Sequence, residues 1–149
     1  MKNLAAMFLL LLLPAAASAQ AGGGDDPFAR YLFPPDRVMS HSLEIGLEDA
    51  QKTAIKNEVQ KAQPKFTDAQ FELQAEGERM IRLLQEKLVD ETKVLAEVDR
   101  ILAVEKEMKK AQITLLVRIK NVLTPAQQTK LAELQKLQAE QEGRKLSGK

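Results

Sequence analysis

Two long stretches of this chain carry apolar residues at steps of three and four. The first runs Ile55, Val59, Ala62, Phe66, Ala69, Leu73, Met80 and Leu84; the second runs Val94, Val98, Ile101, Leu102, Met108, Leu115, Ile119 and Val122. That period lines up one face of an α-helix and does not match the two-residue alternation of a strand. A lone helix cannot bury such a stripe, so each stretch must lie against another helix. The few residues between them leave room only for an antiparallel turn. The expected fold class is all-α: a long antiparallel helical hairpin with short flanking helices, four in total. A thin hairpin cannot cover every apolar side chain, and the surplus must go to a partner subunit, as in a homodimer, to a bound client protein, or to both. Leu, Ala, Lys, Glu and Gln dominate, while five Phe, one Tyr and no Trp are little aromatic bulk for a compact globule.

Local signals set the expected boundaries. Asp36, just after Pro34-Pro35, is placed to cap a short helix reaching about Ile45 and ended by Gly46. The next helix begins near Glu48 and reaches about Val89. Pro64 lies inside it, and because the apolar period continues beyond, a kink is expected there rather than a break; Gly77 is a second soft point. Asp90 stands where an N-cap is needed, with Glu91 in the first turn. The last helix opens at Leu123-Thr124-Pro125-Ala126-Gln127 and runs to about Glu142.

The first residues read as an export signal. Lys2 precedes an apolar run from Leu4 to Leu13, too short to span a bilayer stably, and Ala17-Ser18-Ala19 supplies small residues for cleavage after Ala19. The expected organisation is a signal peptide over 1–19, a flexible segment over 20–35, a helical hairpin domain over 36–142 and a disordered tail over 143–149. No cysteine is present, which excludes disulfides and a thiol-linked lipid anchor. Without Lys2 the 22 basic residues become 21, equal to the 21 acidic ones. A neutral chain argues against a nucleic-acid partner, since such binders carry a basic excess to displace counterions.

Catalysis is hard to build from these residues. The chain has one His, no Cys and no glycine loop of phosphate-binding form, so neither an enzyme site nor a nucleotide site is expected. Its carboxylates alternate with lysines, as in Glu105-Lys106-Glu107 and Lys109-Lys110, in the manner of solvated helix faces. Apolar surface is the better lead. Lys65, Phe66, Phe71, Arg79, Met80, Ile81 and Leu84, with Arg82 beside them, form a mixed apolar and basic set along the long helix. Met and Phe adapt to many shapes and cations attract partners from a distance, which suits binding of unfolded or partly folded proteins. The same residues would serve equally as hairpin and dimer core. Phe28, Tyr31, Leu32 and Phe33 form a second aromatic cluster, suited to docking on a membrane sensor protein.

One internal repeat stands out. Leu47-Glu48-Asp49-Ala50-Gln51 resembles Leu123-Thr124-Pro125-Ala126-Gln127, seventy-six positions later. In the second copy Thr124 is an N-cap, Pro125 takes the first helical position, and Gln127 can return its side chain to Thr124 as a capping box. With this motif the chain resembles the LTxxQ-motif periplasmic family, the Spy/CpxP-like chaperones and the related ZraP/CnrX-like heavy-metal sensor and resistance proteins. Leu123, Thr124, Pro125 and Gln127 match the motif in full, and Leu47 with Gln51 match its two ends. The resemblance implies a periplasmic, dimeric, curved hairpin acting as an ATP-independent chaperone or envelope-stress accessory protein. The alternative it implies is a periplasmic heavy-metal sensor or resistance protein. For that role Met39 and His41, near Glu44, are the only ligands to name, and a transition metal the only cofactor, because a useful site needs three or four donors and only one histidine is present.

Overall fold

The computed structural model describes residues 31–147, and among them it contains four helices and no strand. These are α1 (Pro35–Ser40), α2 (Asp49–Leu84), α3 (Glu91–Val122) and α4 (Pro125–Ser147). The proposed signal peptide and Phe28 lie outside the described residues. No helix among those residues is long and apolar enough to cross a membrane. The chain divides into two compact units, of which one is Leu32–Leu131. In the second unit the described part is Tyr31 and the later turns of α4.

The first unit is the hairpin. Its α2 and α3 pack against each other, and the positions they cover step by three and four. On α2 these are Ile55, Val59, Ala62, Phe66, Ala69, Leu73, Glu76, Met80 and Leu83; on α3 they are Val94, Glu97, Ile101, Val104, Met108, Ala111, Leu115, Ile119 and Val122. A mean step of about 3.5 residues is the repeat of a coiled-coil seam. At about 1.5 Å per residue, the 36 residues of α2 extend roughly 54 Å. Pro64 lies inside that helix without ending it.

Several boundaries differ from the sequence expectation, each for a local reason. The first helix stops at Ser40 rather than near Ile45, and the residues to Gly46 form turns. Pro34 is its N-cap, so Asp36 lies in the first turn, where its charge favours the positive end of the helix without capping it. Gly46 has φ of 63°, the left-handed conformation that a side chain disfavours, and this redirects the chain into α2. The long helix ends at Leu84 instead of about Val89, because reversing direction and presenting Asp90 in extended backbone takes Gln85 to Val89 out of the helix. Asp90 then caps α3, its Oδ1 accepting the Lys93 amide at 3.2 Å. The last helix passes Gly143 and continues to Ser147, beyond the expected end near Glu142. Gly143 does not adopt a positive φ, and a helical glycine costs only about 1 kcal/mol.

Candidate functional site

The motif copies meet at the open end of the hairpin. Gln51 Nε2 donates to Gln127 Oε1 at 2.8 Å, and Gln127 Nε2 donates back to Gln51 Oε1 at 2.9 Å. Each amide also crosses to the backbone just before the other copy: Gln51 to the Val122 carbonyl at 2.9 Å, Gln127 to the Gly46 carbonyl at 3.2 Å. Each oxygen accepts from its own helix start, Glu48 N at 3.1 Å and Thr124 N at 2.9 Å. Thr124 Oγ1 completes the second copy by accepting the Gln127 amide at 3.3 Å. Both motif leucines, Leu47 and Leu123, are buried, together with Phe33, Val38, Ile55, Ile119 and Leu131. Pro125 is the first residue of α4, where its missing N–H costs no helical hydrogen bond. The motif is thus a clasp that joins two helix starts.

Further along the seam two carboxyl groups replace apolar residues. Glu76 and Glu97 are about as buried as the Met80 and Ile101 that follow them in the register. Arg79 Nη1 lies 3.1 Å from Glu76 Oε2, and Arg100 Nη1 lies 2.7 Å from Glu97 Oε2. Contact with Glu97, followed by burial, pushes the Glu76 carboxyl up; the hydrogen bond from Glu76, aided by Arg100, holds the Glu97 carboxyl down. The signal for this pair was present in the sequence. Glu76 fills the gap between Leu73 and Met80 in the apolar period, and Glu97 the gap between Val94 and Ile101.

An open groove of about 940 Å³ runs between α2 and α3. Ala62, Ala69, Ala103 and Val104 are among its apolar walls, while Lys65, Asp68, Glu72 and Glu107 add charge. Near one end Glu58 ties the helices together, 2.8 Å from Lys61 on its own helix and 3.0 Å from Arg118 on α3. Lys61 first, then Arg118, holds the Glu58 carboxyl below the usual carboxylate range.

The residues proposed for partner binding do not share one face. Met80 is buried and Phe66 half-buried in the seam, Lys65 lines the groove, and Arg79 is engaged with Glu76. Phe71 is 69% exposed; nine residues from Met80 is two and a half helical turns, which carries it to the opposite side. Ile81 and Leu84 are exposed, and Leu83 takes the seam position that the sequence period assigned to Leu84. The period missed further exposed residues around the bend: Leu88, at 88% the most exposed of them, Val89 and Leu95. Leu88 and Val89 fall in the turn after α2, and Leu95 lies on α3 beside the seam position Val94, so no stripe marks them. Of the aromatic cluster, Tyr31 is exposed but Phe33 is core.

Met39 is exposed, and the His41 Nδ1 meets the Glu44 carboxylate one turn away. Among the described residues, no three His, Cys, Asp or Glu side chains gather where they could hold a metal ion. The imidazole and the carboxylate in contact with it are two donors, fewer than the three or four a transition-metal site takes.

No curated protein and no solved structure matches the chain. A family model described as heavy-metal resistance matches residues 4–130, most of the chain's length. On that match, the chain belongs to the heavy-metal resistance family.

Proposed function

We propose that this protein is a non-catalytic, exported member of its family that binds partly unfolded proteins reversibly, without nucleotide, as a Spy/CpxP-like periplasmic chaperone does. The observation that carries this reading is the apolar surface around the hairpin bend, where Ile81, Leu84, Leu88, Val89 and Leu95 are all exposed. Arg82, Lys87 and Lys93 stand among them in the sequence. Apolar side chains set among cations suit loose capture of exposed chain segments, because neither element demands a particular geometry. The role is compatible with heavy-metal resistance, since heavy metal ions disturb folded proteins by capturing thiols and imidazoles. Expected partners are unfolded or partly folded proteins and a second copy of the chain.

The test is light scattering of a chemically denatured model protein diluted into buffer containing this protein at near-equal molar ratio, with and without chelator. Suppression of scattering under both conditions supports the reading; unchanged scattering removes it.

Family membership favours a second reading, metal sensing through His41, whose ligand set another chain would have to complete. Calorimetric titration with zinc, nickel and copper, with His41→Ala as control, separates the two. Heat that is present in the parent and lost in the variant supports sensing.

A further inference from the structure

Two acidic residues in the middle of an apolar seam call for an explanation that helix packing does not supply. Glu76 and Glu97 occupy seam positions on facing helices and are more than nine-tenths buried. Glu97 turns Oε2 toward Arg100, which leaves its Oε1 buried with no donor from any other group; Glu76 Oε2 is likewise buried without an aligned donor. The two carboxyl groups stand at facing seam positions, and because ionised carboxylates are acceptors only, a hydrogen bond between them requires a proton. The other charged groups facing the pair are Arg79 from α2 and Arg100 from α3, with Glu72 one turn back along α2 on the same groove. Both arginines are about half exposed and screened by water, which weakens their hold on a second negative charge in the pair.

We propose that Glu76 and Glu97 form a one-proton lock: a proton shared between the two carboxyl groups holds the bend half of the hairpin closed, and its loss loosens that half alone. The Gln51–Gln127 clasp contains no titratable group and keeps the open end joined throughout. Loosening would uncover Met80 and Ile101, which follow the pair in the seam. The device stands whatever the exposed apolar surface binds.

The sign follows from the two shifts. Glu76, pushed up, contributes stability that is lost as pH rises through its raised value; Glu97, held down, contributes stability that is lost as pH falls through its lowered value. The lock is therefore strongest between the two and fails on the alkaline side by losing its single proton.

Amide hydrogen exchange on the full chain between about pH 5 and pH 9, corrected for intrinsic exchange, tests this. Protection at residues 76–84 and 91–101 should fall by about tenfold or more across that range while α2 near Gln51 holds steady. In Glu76→Gln the side-chain amide donates to Glu97 at every pH, and the pH dependence should vanish. Uniform protection in the parent, or an unchanged pH profile in the variant, overturns the proposal. Should the variant not fold, carboxyl carbon resonances of the parent decide. One glutamate titrating above and one below the ordinary range supports the lock; two ordinary titrations sink it.

Discussion

Gln51 and Gln127, seventy-six residues apart, face each other as a reciprocal amide pair, with every donor and acceptor of the two side chains engaged. Neither glutamine is an isolated contact. Each closes its own helix start and at the same time donates to the carbonyl just before the other motif, so the loop before α2 and the α3–α4 corner are held by a single network.

Gln127→Ala breaks that network at its centre. It removes the partner of the Thr124 amide, the Gly46 carbonyl and both ends of the Gln51 amide. Groups left unsatisfied in partly buried positions cost about 1–3 kcal/mol each, so the loss should be about 2 kcal/mol or more in urea denaturation. Gln51→Ala should cost a similar amount, and the double variant less than the sum, because both remove the same pair.

Thr124→Ala tests the cap alone. The Gln127 amide loses its side-chain acceptor, which should lower stability by about 1 kcal/mol without altering helix content. Thr124→Asp should restore most of it.

Phe71 and Met80 lie on opposite sides of one helix and separate function from packing. Met80→Ala opens a void in the seam and should cost about 2–4 kcal/mol in thermal unfolding. Phe71→Ser and Leu88→Ser remove exposed surface, and each should change stability by about 0.5 kcal/mol or less. A chaperone role predicts weaker suppression of aggregation in Leu88→Ser. Full activity in that variant would detach the role from the bend.

Glu58 sets an acid limb on stability. Lys61 and Arg118 hold its carboxyl low, so the folded chain binds that proton more weakly than the unfolded chain. The contribution is complete above the ordinary carboxylate range and is lost as pH falls through the lowered value. Glu58→Gln should therefore reduce the melting temperature near neutral pH, with the difference from the parent closing in strong acid. A constant difference across pH would show that the ion pairs with Lys61 and Arg118 add no stability.

The helical hairpin was legible because its signal is repetitive: a mismatch at one position, such as Glu76, does not disturb the period carried by its neighbours. Single-residue signals were readable where the chemistry is local. Thr124 and Asp90 accept amides three residues ahead, and that distance is written in the sequence. Asp36 failed the same test because Pro34 starts the helix two residues earlier. Leu88 and Val89 went unseen as exposed surface because their neighbours suggested helix, while the chain needed those residues to turn.

By itself, the sequence determined the all-helical class, the hairpin direction and both motif helix starts, since each follows from steps of three and four residues or from contacts within one turn. Only the tertiary structure decided that Gln51 meets Gln127, that Glu76 meets Glu97, and that Phe71 and Met80 point apart from one another in their surroundings. Those relationships depend on the register between helices, which is set by packing summed along the whole seam and belongs to no single residue.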